Sequence, residues 1–297
     1  MSFKKINNIA GWLIFLLATF VYISTMEQTA SFWDCGEFIA VSYKLMVPHP
    51  PGAPFFLLVG RLFSMLASDA TQVAYWINML SALSSSFTIL FLFWTISLTI
   101  RRFILPSSEG AEYTLGQTIS IIGGSVVGSL AYTFSDSFWF SATEAEVYAM
   151  SSFFTALIVW AMLKWEVAET ESSANRWLLF IAYMMGLSIG VHLLNLLAIP
   201  ALGLIYYFKK NELPTRNGIL LTLGISGAIV MFITYGIIPG LPSVAGAFEI
   251  FFVNTLGLPF ASGAMFLVML LVGGIVYGIR YSIKNKNLVL NLSLLSL

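Results

Sequence analysis

The sequence predicts an all-α, polytopic membrane protein, and three observations predict it. Hydrophobic residues make up 58% of the 297 and charged residues 9%, against roughly 25% charged in an average soluble domain. The mean hydropathy is +0.88. Apolar runs long enough to cross a bilayer, or nearly so, recur at 9–26, 73–100, 117–134, 147–165, 177–208, 218–238 and 263–283. No internal repeat or low-complexity tract separates them, so a single transmembrane domain over 1–297 is expected. Fourteen basic residues balance fourteen acidic ones, which excludes a nucleic-acid footprint. The lone Cys35 excludes an internal disulfide and a cysteine-rich metal site.

The runs are ordered by their charged flanks. Lys4 and Lys5 precede the first run, which is long for a secretion signal and lacks a small-x-small cleavage site. It therefore reads as an uncleaved span with a cytoplasmic N-terminus. The second span then returns the chain to Arg101 and Arg102 inside, and the fourth to Lys164 and Arg176. The 177–208 run is far too long for one crossing at about 1.5 Å per residue. Splitting it at Gly190-Val191-His192 makes two short spans. Every basic residue except Lys44 and Arg61 then lies inside. Eight spans in a multi-pass inner-membrane protein result. The apolar 288–297 tail reads as a ninth span cut short.

Segment 27–70 becomes the first outer loop, and it concentrates the chemistry. Asp34 and Glu37 stand i, i+3 on a predicted helix whose other face carries Phe38, Val41 and Leu45. Two adjacent carboxylates repel, which raises one pKa and suits a general base. The same pair could hold a divalent metal, weakly with so few donors. Pro48-His49-Pro50-Pro51 is a rigid extended element. His49 within it can donate to a phosphate or sugar oxygen, or satisfy a loop carbonyl. The 55–66 stretch is too short to span and carries Arg61, so it reads as an interface helix. Arg61 would snorkel to the interface or reach a lipid phosphate.

The second outer loop, 135–146, mixes Asp136, Glu144 and Glu146 with Phe138, Trp139 and Phe140. Asp136 and Ser141 also suit helix caps, and Glu144 a first helical turn. The third outward turn holds His192, an ionisable group at membrane depth. The last, 239–262, offers only Glu249 and Asn254. Acids and two histidines thus converge on one face of the membrane. No phosphate-binding loop, dinucleotide fingerprint, HExxH or nucleophile elbow accompanies them. An activated substrate must then arrive without a soluble nucleotide, and a membrane-embedded lipid carrier meets that need.

These residues carry a resemblance. The stretches WDCGEFIAVSYKLMVPHPPGAPFFLLVGRLF, YWINMLSAL, FSATEAEVYAM and GLSIGVHLLNLLAIPAL resemble the GT-C superfamily of polyprenyl-phosphate-sugar-dependent glycosyltransferases. Within it they look like a bacterial family of formerly unknown function, related to the eukaryotic endoplasmic-reticulum protein O-mannosyltransferase. The resemblance implies a GT-C-like bundle with interface helices in the first outer loop. It implies transfer of a sugar, mannose among the candidates, from a polyprenyl-phosphate donor to a protein Ser or Thr hydroxyl. Asp34, with Glu37, falls on the first-loop acidic position and is the expected base. Glu144 or Glu146 falls where related enzymes place a second acid, and His49, Arg61 and His192 lie in family motifs as substrate-binding candidates. A lipid-substrate transporter or flippase, or a scaffold subunit of an envelope complex, is the rival reading.

Overall fold

The computed structural model describes residues 2–104 and 112–285. All regular structure among them is helical, and the 288–297 run lies outside the described residues. Where the sequence reads as one domain, the helices cluster into two compact units. One comprises Met1–Val167 with Met184–Asn195, the other Ala168–Tyr183 with Leu196–Leu297.

The first unit holds α1 (Phe3–Thr25), α2 (Cys35–Lys44), α3 (Pro54–Ser64), α4 (Val73–Phe103), α5 (Leu115–Thr133), α6 (Asp136–Ala142) and α7 (Val147–Glu166). The centre is α4, packed against α1, α5 and α7. It buries Ser81, Ser84, Ser85, Ser86 and Thr88, because small side chains let membrane helices approach closely. The hydroxyls of Ser86 and Thr88 donate to carbonyls four residues back, at 2.8 and 3.0 Å, so apolar surroundings cost them little. Tyr22 is fully buried and donates to the Thr133 carbonyl at 3.0 Å, joining the ends of α1 and α5.

The expected interface helices are present as α2 and α3. Pro54 occupies the first turn of α3, where its missing N–H is no loss. The expected break at 190–192 is also present. α8 (Glu171–Ile189) stops there, and α9 (Ala198–Lys210) follows a short 3₁₀ turn, Leu193–Leu197. The break positions α3: the Gly190 carbonyl accepts from Phe55 N–H at 2.7 Å, satisfying a donor that a helix start leaves orphaned. A Cβ on Gly190 would lie 2.9 Å from Phe55 Cβ. Gly190→Val should therefore lose about 1–3 kcal/mol by overpacking, read as a lower melting midpoint in detergent. An unchanged midpoint would contradict this docking.

The second unit holds the start of α8, then α9, α10 (Arg216–Met231), α11 (Ile238–Ile250) and α12 (Ser262–Lys284). Here the expected outer loop 239–262 is corrected. Helix runs unbroken from Arg216 to Thr255 through π turns at Phe232–Ile237 and Phe251–Thr255. Pro239 and Pro242 both lie within this continuous stretch, and the π turn at Phe232–Ile237 just before them is the kind of local adjustment that re-satisfies backbone groups freed by proline. Glu249 accepts from the N–H groups of Ala261, Gly263 and Ala264 at 2.6, 2.9 and 3.1 Å. It caps α12.

Seven of the described helical stretches are long and apolar enough to cross a membrane. The remaining member of the eight expected is α8, whose 19 residues include Glu171 and Arg176 and fall short in apolarity. Lys4, Arg101 and Lys164, from the ends of α1, α4 and α7, share one end of the first unit. The acids of both outer loops share another site, described next.

Candidate active site

Asp34 precedes α2 at its N-cap, after Trp33 in the left-handed region at φ 59°. That conformation is costly for a bulky residue and is held only where its surroundings impose it. Glu37 lies in the first turn. The Glu37 carboxylate takes His49 as its partner. One of its oxygens accepts the His49 backbone N–H at 2.7 Å, and the other meets His49 Nδ1 at 2.8 Å. An ionised carboxylate only accepts, so Nδ1 carries a proton. The remaining ring nitrogen, Nε2, stands 3.9 Å from Asp34.

The hydrogen bonds from His49 hold the Glu37 pKa below its ordinary value. The same pairing, with the charges of Glu37 and Asp34, raises His49 above the ordinary imidazole range. His49 is thus a cation over a wider pH range than a free histidine. Glu37→Gln should lower its titration, followed by the ring proton resonances, toward the ordinary imidazole range. An unmoved titration would mean that Glu37 does not hold the ring.

The second loop supplies buried acids. Ala142 ends α6, and Glu144 and Glu146 follow, 3% and 5% exposed. Burial raises both pKa values; for Glu146, burial and then the charges of Asp34 and Glu144 bring it to about 7. Cys35, the first residue of α2, is buried, its Sγ 3.7 Å from Glu146 Oε1. Burial and the two acids push its thiol well up, so it stays protonated and donates. Sequence reasoning missed this role of Cys35, because its partner lies 111 residues away. It also missed Asn78, which is buried on α4. Asn78 donates to the carbonyls of Glu27 and Thr29 at 2.7 and 3.1 Å, tying down the entrance to the first loop.

Asp34, Glu144 and Glu146 wall one cavity of about 300 Å³ with Trp33, Phe140, Ser141 and Tyr148. That lies at the small end of ligand pockets. Aromatic faces beside carboxylates suit a polyhydroxylated ring, which offers C–H faces and O–H donors. His192 stands at the edge, its ring 5.4 Å from that of Tyr148. Its Nδ1 accepts from Leu194 N–H at 3.3 Å, so the neutral ring carries its proton on Nε2.

Arg61 is not brought to this cavity. Its guanidinium donates to the Tyr43 carbonyl at 2.6 Å and stacks over the Tyr43 ring. Tyr43 lies near the far end of α2 from Asp34, about 13 Å along the axis at 1.5 Å per residue. Arg61 thus caps α2. Asp136 is in the first turn of α6, also away from the cavity lining.

One donor atom each from Asp34, Glu37 and His49 lie within 4.8 Å of one another, a set that could hold a metal ion. Both Glu37 oxygens already accept hydrogen bonds from His49. A cation there would have to replace them and find further ligands in water.

Comparison with known proteins converges on this region. The chain is 27% identical over 244 residues to the protein O-mannosyl-transferase tmem260 of Dictyostelium discoideum, covering 75% of this chain and 27% of that protein. It is 26% identical over 223 residues to the protein O-mannosyl-transferase TMEM260 of Mus musculus, covering 74% of this chain and 29% of that one. The chain thus spans less than a third of the length of these curated relatives. No solved structure matches it. The domain described as the protein O-mannosyl-transferase TMEM260 N-terminal domain matches residues 34–215. That segment opens on Asp34 and contains every site residue named from the sequence. It covers more than half of the chain, which belongs to the protein O-mannosyl-transferase TMEM260 N-terminal domain family.

Proposed function

We propose that this protein is a membrane glycosyltransferase that moves a sugar, with mannose the first candidate, from a polyprenyl-phosphate donor to a protein Ser or Thr hydroxyl. The observation that carries the reading is the single cavity walled by Asp34 from one loop and Glu144 and Glu146 from the next. The family's printed name supports the class of reaction.

In this reading the acceptor oxygen attacks the anomeric carbon and loses its proton to Asp34. The bond from that carbon to the phosphate oxygen breaks, and the phosphate leaves with the electron pair. Asp34 must be ionised to act as the base. His49, 3.9 Å away and held by Glu37, can in its protonated form offset the negative charge growing on the phosphate. Glu146, buried and partly protonated near neutral pH, can both donate to and accept from sugar hydroxyls, and Glu144, its pKa also raised by burial, faces the same cavity. Arg61 acts through α2, keeping its far end in place. A divalent cation held by Asp34, Glu37 and His49 would neutralise phosphate charge as well.

Charge asymmetry supports a cytoplasmic N-terminus and an active face on the outer side of the inner membrane. The test is mass spectrometry of membrane and secreted proteins from a strain lacking the gene. Loss of one hexose-type modification on Ser or Thr, restored by the wild-type gene but not by Asp34→Asn, is the expected result. An unchanged glycan inventory would overturn the reading. A cysteine placed at the exposed Val47 should react with an impermeant thiol reagent added outside intact cells. Reaction only after lysis would place the loop on the other face.

A further inference from the structure

At the end of the first unit where α1 begins and α4 and α7 finish, a second cavity of about 500 Å³ has a different chemistry. Three cations line it: Lys4 at the exposed rim, and Arg101 and Lys164 half-buried. Asn7, Asn8 and Ser97 add neutral polar groups, and among the described residues no carboxylate lines the wall. Among the described residues the ion pairs are those of His49 and the neighbouring pair Arg102–Glu166, so none of the three cations has a carboxylate partner. Like charges gathered in a half-buried pocket raise one another's cost, and an anion between them removes it.

The pocket is also ordered. Arg101 lies over the rings of Phe3 and Tyr113 at 5.2 and 5.7 Å and donates from Nε to the Tyr113 hydroxyl at 3.2 Å. A guanidinium fixed in this way loses little further freedom on gripping a phosphate. Below the cations the wall becomes aromatic. Trp12 and Trp94 stand 6.1 Å apart, and Trp94 and Trp160 5.8 Å apart. Tryptophans collect at the level where headgroups meet acyl chains. Cations above indoles, at the end of a transmembrane bundle, match the two halves of a phospholipid.

We propose that this pocket is a binding site for the phosphate headgroup of an anionic phospholipid, with the first carbons of its acyl chains on the tryptophan wall. Basic pockets between membrane helices on the cytoplasmic side are the setting in which such headgroups bind. The site lies apart from the Asp34 cavity and shares no lining residue with it. The shared chemistry is a phosphate oxyanion, and the committed source is the lipid.

The experiment takes the protein purified in neutral detergent and titrates it with dioleoylphosphatidylglycerol, dioleoylphosphatidylcholine or inorganic phosphate, counting bound lipid by native mass spectrometry. One copy of the phosphatidylglycerol should bind ahead of the phosphatidylcholine and persist in millimolar phosphate. At about 1 kcal/mol for each basic residue, Arg101→Gln with Lys164→Gln should weaken it roughly thirty-fold. Arg102→Gln removes an adjacent cation outside the lining and should leave binding unchanged. If the double variant fails to fold, Lys4→Gln at the rim should still show a drop of about fivefold. Equal binding of the two lipids, displacement by inorganic phosphate, or full affinity in the variants would each overturn the proposal.

Discussion

Asp34→Asn should cut glycosyl transfer by roughly 10²-fold or more while the protein still inserts and folds. The carboxamide keeps the size of the side chain but cannot take a proton from the acceptor hydroxyl. Asp34 opens α2 through its carbonyl, which accepts from Phe38 N–H at 2.9 Å, while its side chain makes no cap bond, so the helix does not depend on its charge. Glu37→Gln should be milder, because Glu37 reaches the site only through His49. Its signature should be a shift of the pH–rate profile, as His49 loses the partner that keeps it charged. Membranes expressing each variant at equal level provide the comparison. Wild-type transfer by Asp34→Asn would remove Asp34 from the chemistry.

Replacing Glu146 by Gln should make the protein more stable above pH 7 while lowering its activity. The folded-state pKa of about 7 stands above the ordinary 4.5. The folded state therefore binds more protons than the unfolded state between these values, and its stability falls as pH rises through that window. At 1.36 kcal/mol per pKa unit, the loss from this one group is about 3 kcal/mol by pH 8. Glutamine cannot ionise, so the variant lacks this loss. Melting curves of wild type and variant should agree near pH 4.5 and diverge toward pH 8, with the variant ahead. Parallel curves across that range would show that Glu146 is not held as an uncomfortable buried acid. The activity loss follows from exchanging a group that donates or accepts as the sugar requires for one with fixed donors.

How much of this was legible in the sequence depends on the range of each interaction. The interface helices followed from local pattern: the apolar positions of 35–44 fall on one helical face, and Pro54 marks the start of the next helix. The break at 190–192 followed from charge, since only a split keeps Lys209 and Lys210 with the other basic residues. The convergence of the two loop acids followed from topology, because both loops were placed at the same ends of adjacent spans. Pairings within and between loops were not legible. Glu37 and His49 are twelve residues apart across a proline turn, and nothing local says that the chain will bring the ring back onto that carboxylate. Arg61 looked like a phosphate ligand because its charge was visible and the Tyr43 carbonyl it would grip was not. The stretch after Ile238 misled for a physical reason. Proline and glycine there read as loop punctuation, yet π turns on either side of the prolines accommodate them and the helix continues.

The central claim is that the cavity between Asp34 and Glu146 breaks the bond between a sugar and a lipid phosphate. The most direct measurement uses the purified protein in liposomes with a radiolabelled polyprenyl-phosphate sugar and a Ser- or Thr-containing acceptor. The account predicts free polyprenyl phosphate released one-for-one with sugar appearing on the acceptor, both abolished in Asp34→Asn. Labelled lipid that changes leaflet with its sugar bond intact, and no sugar on the acceptor, would contradict it and make the protein a transporter.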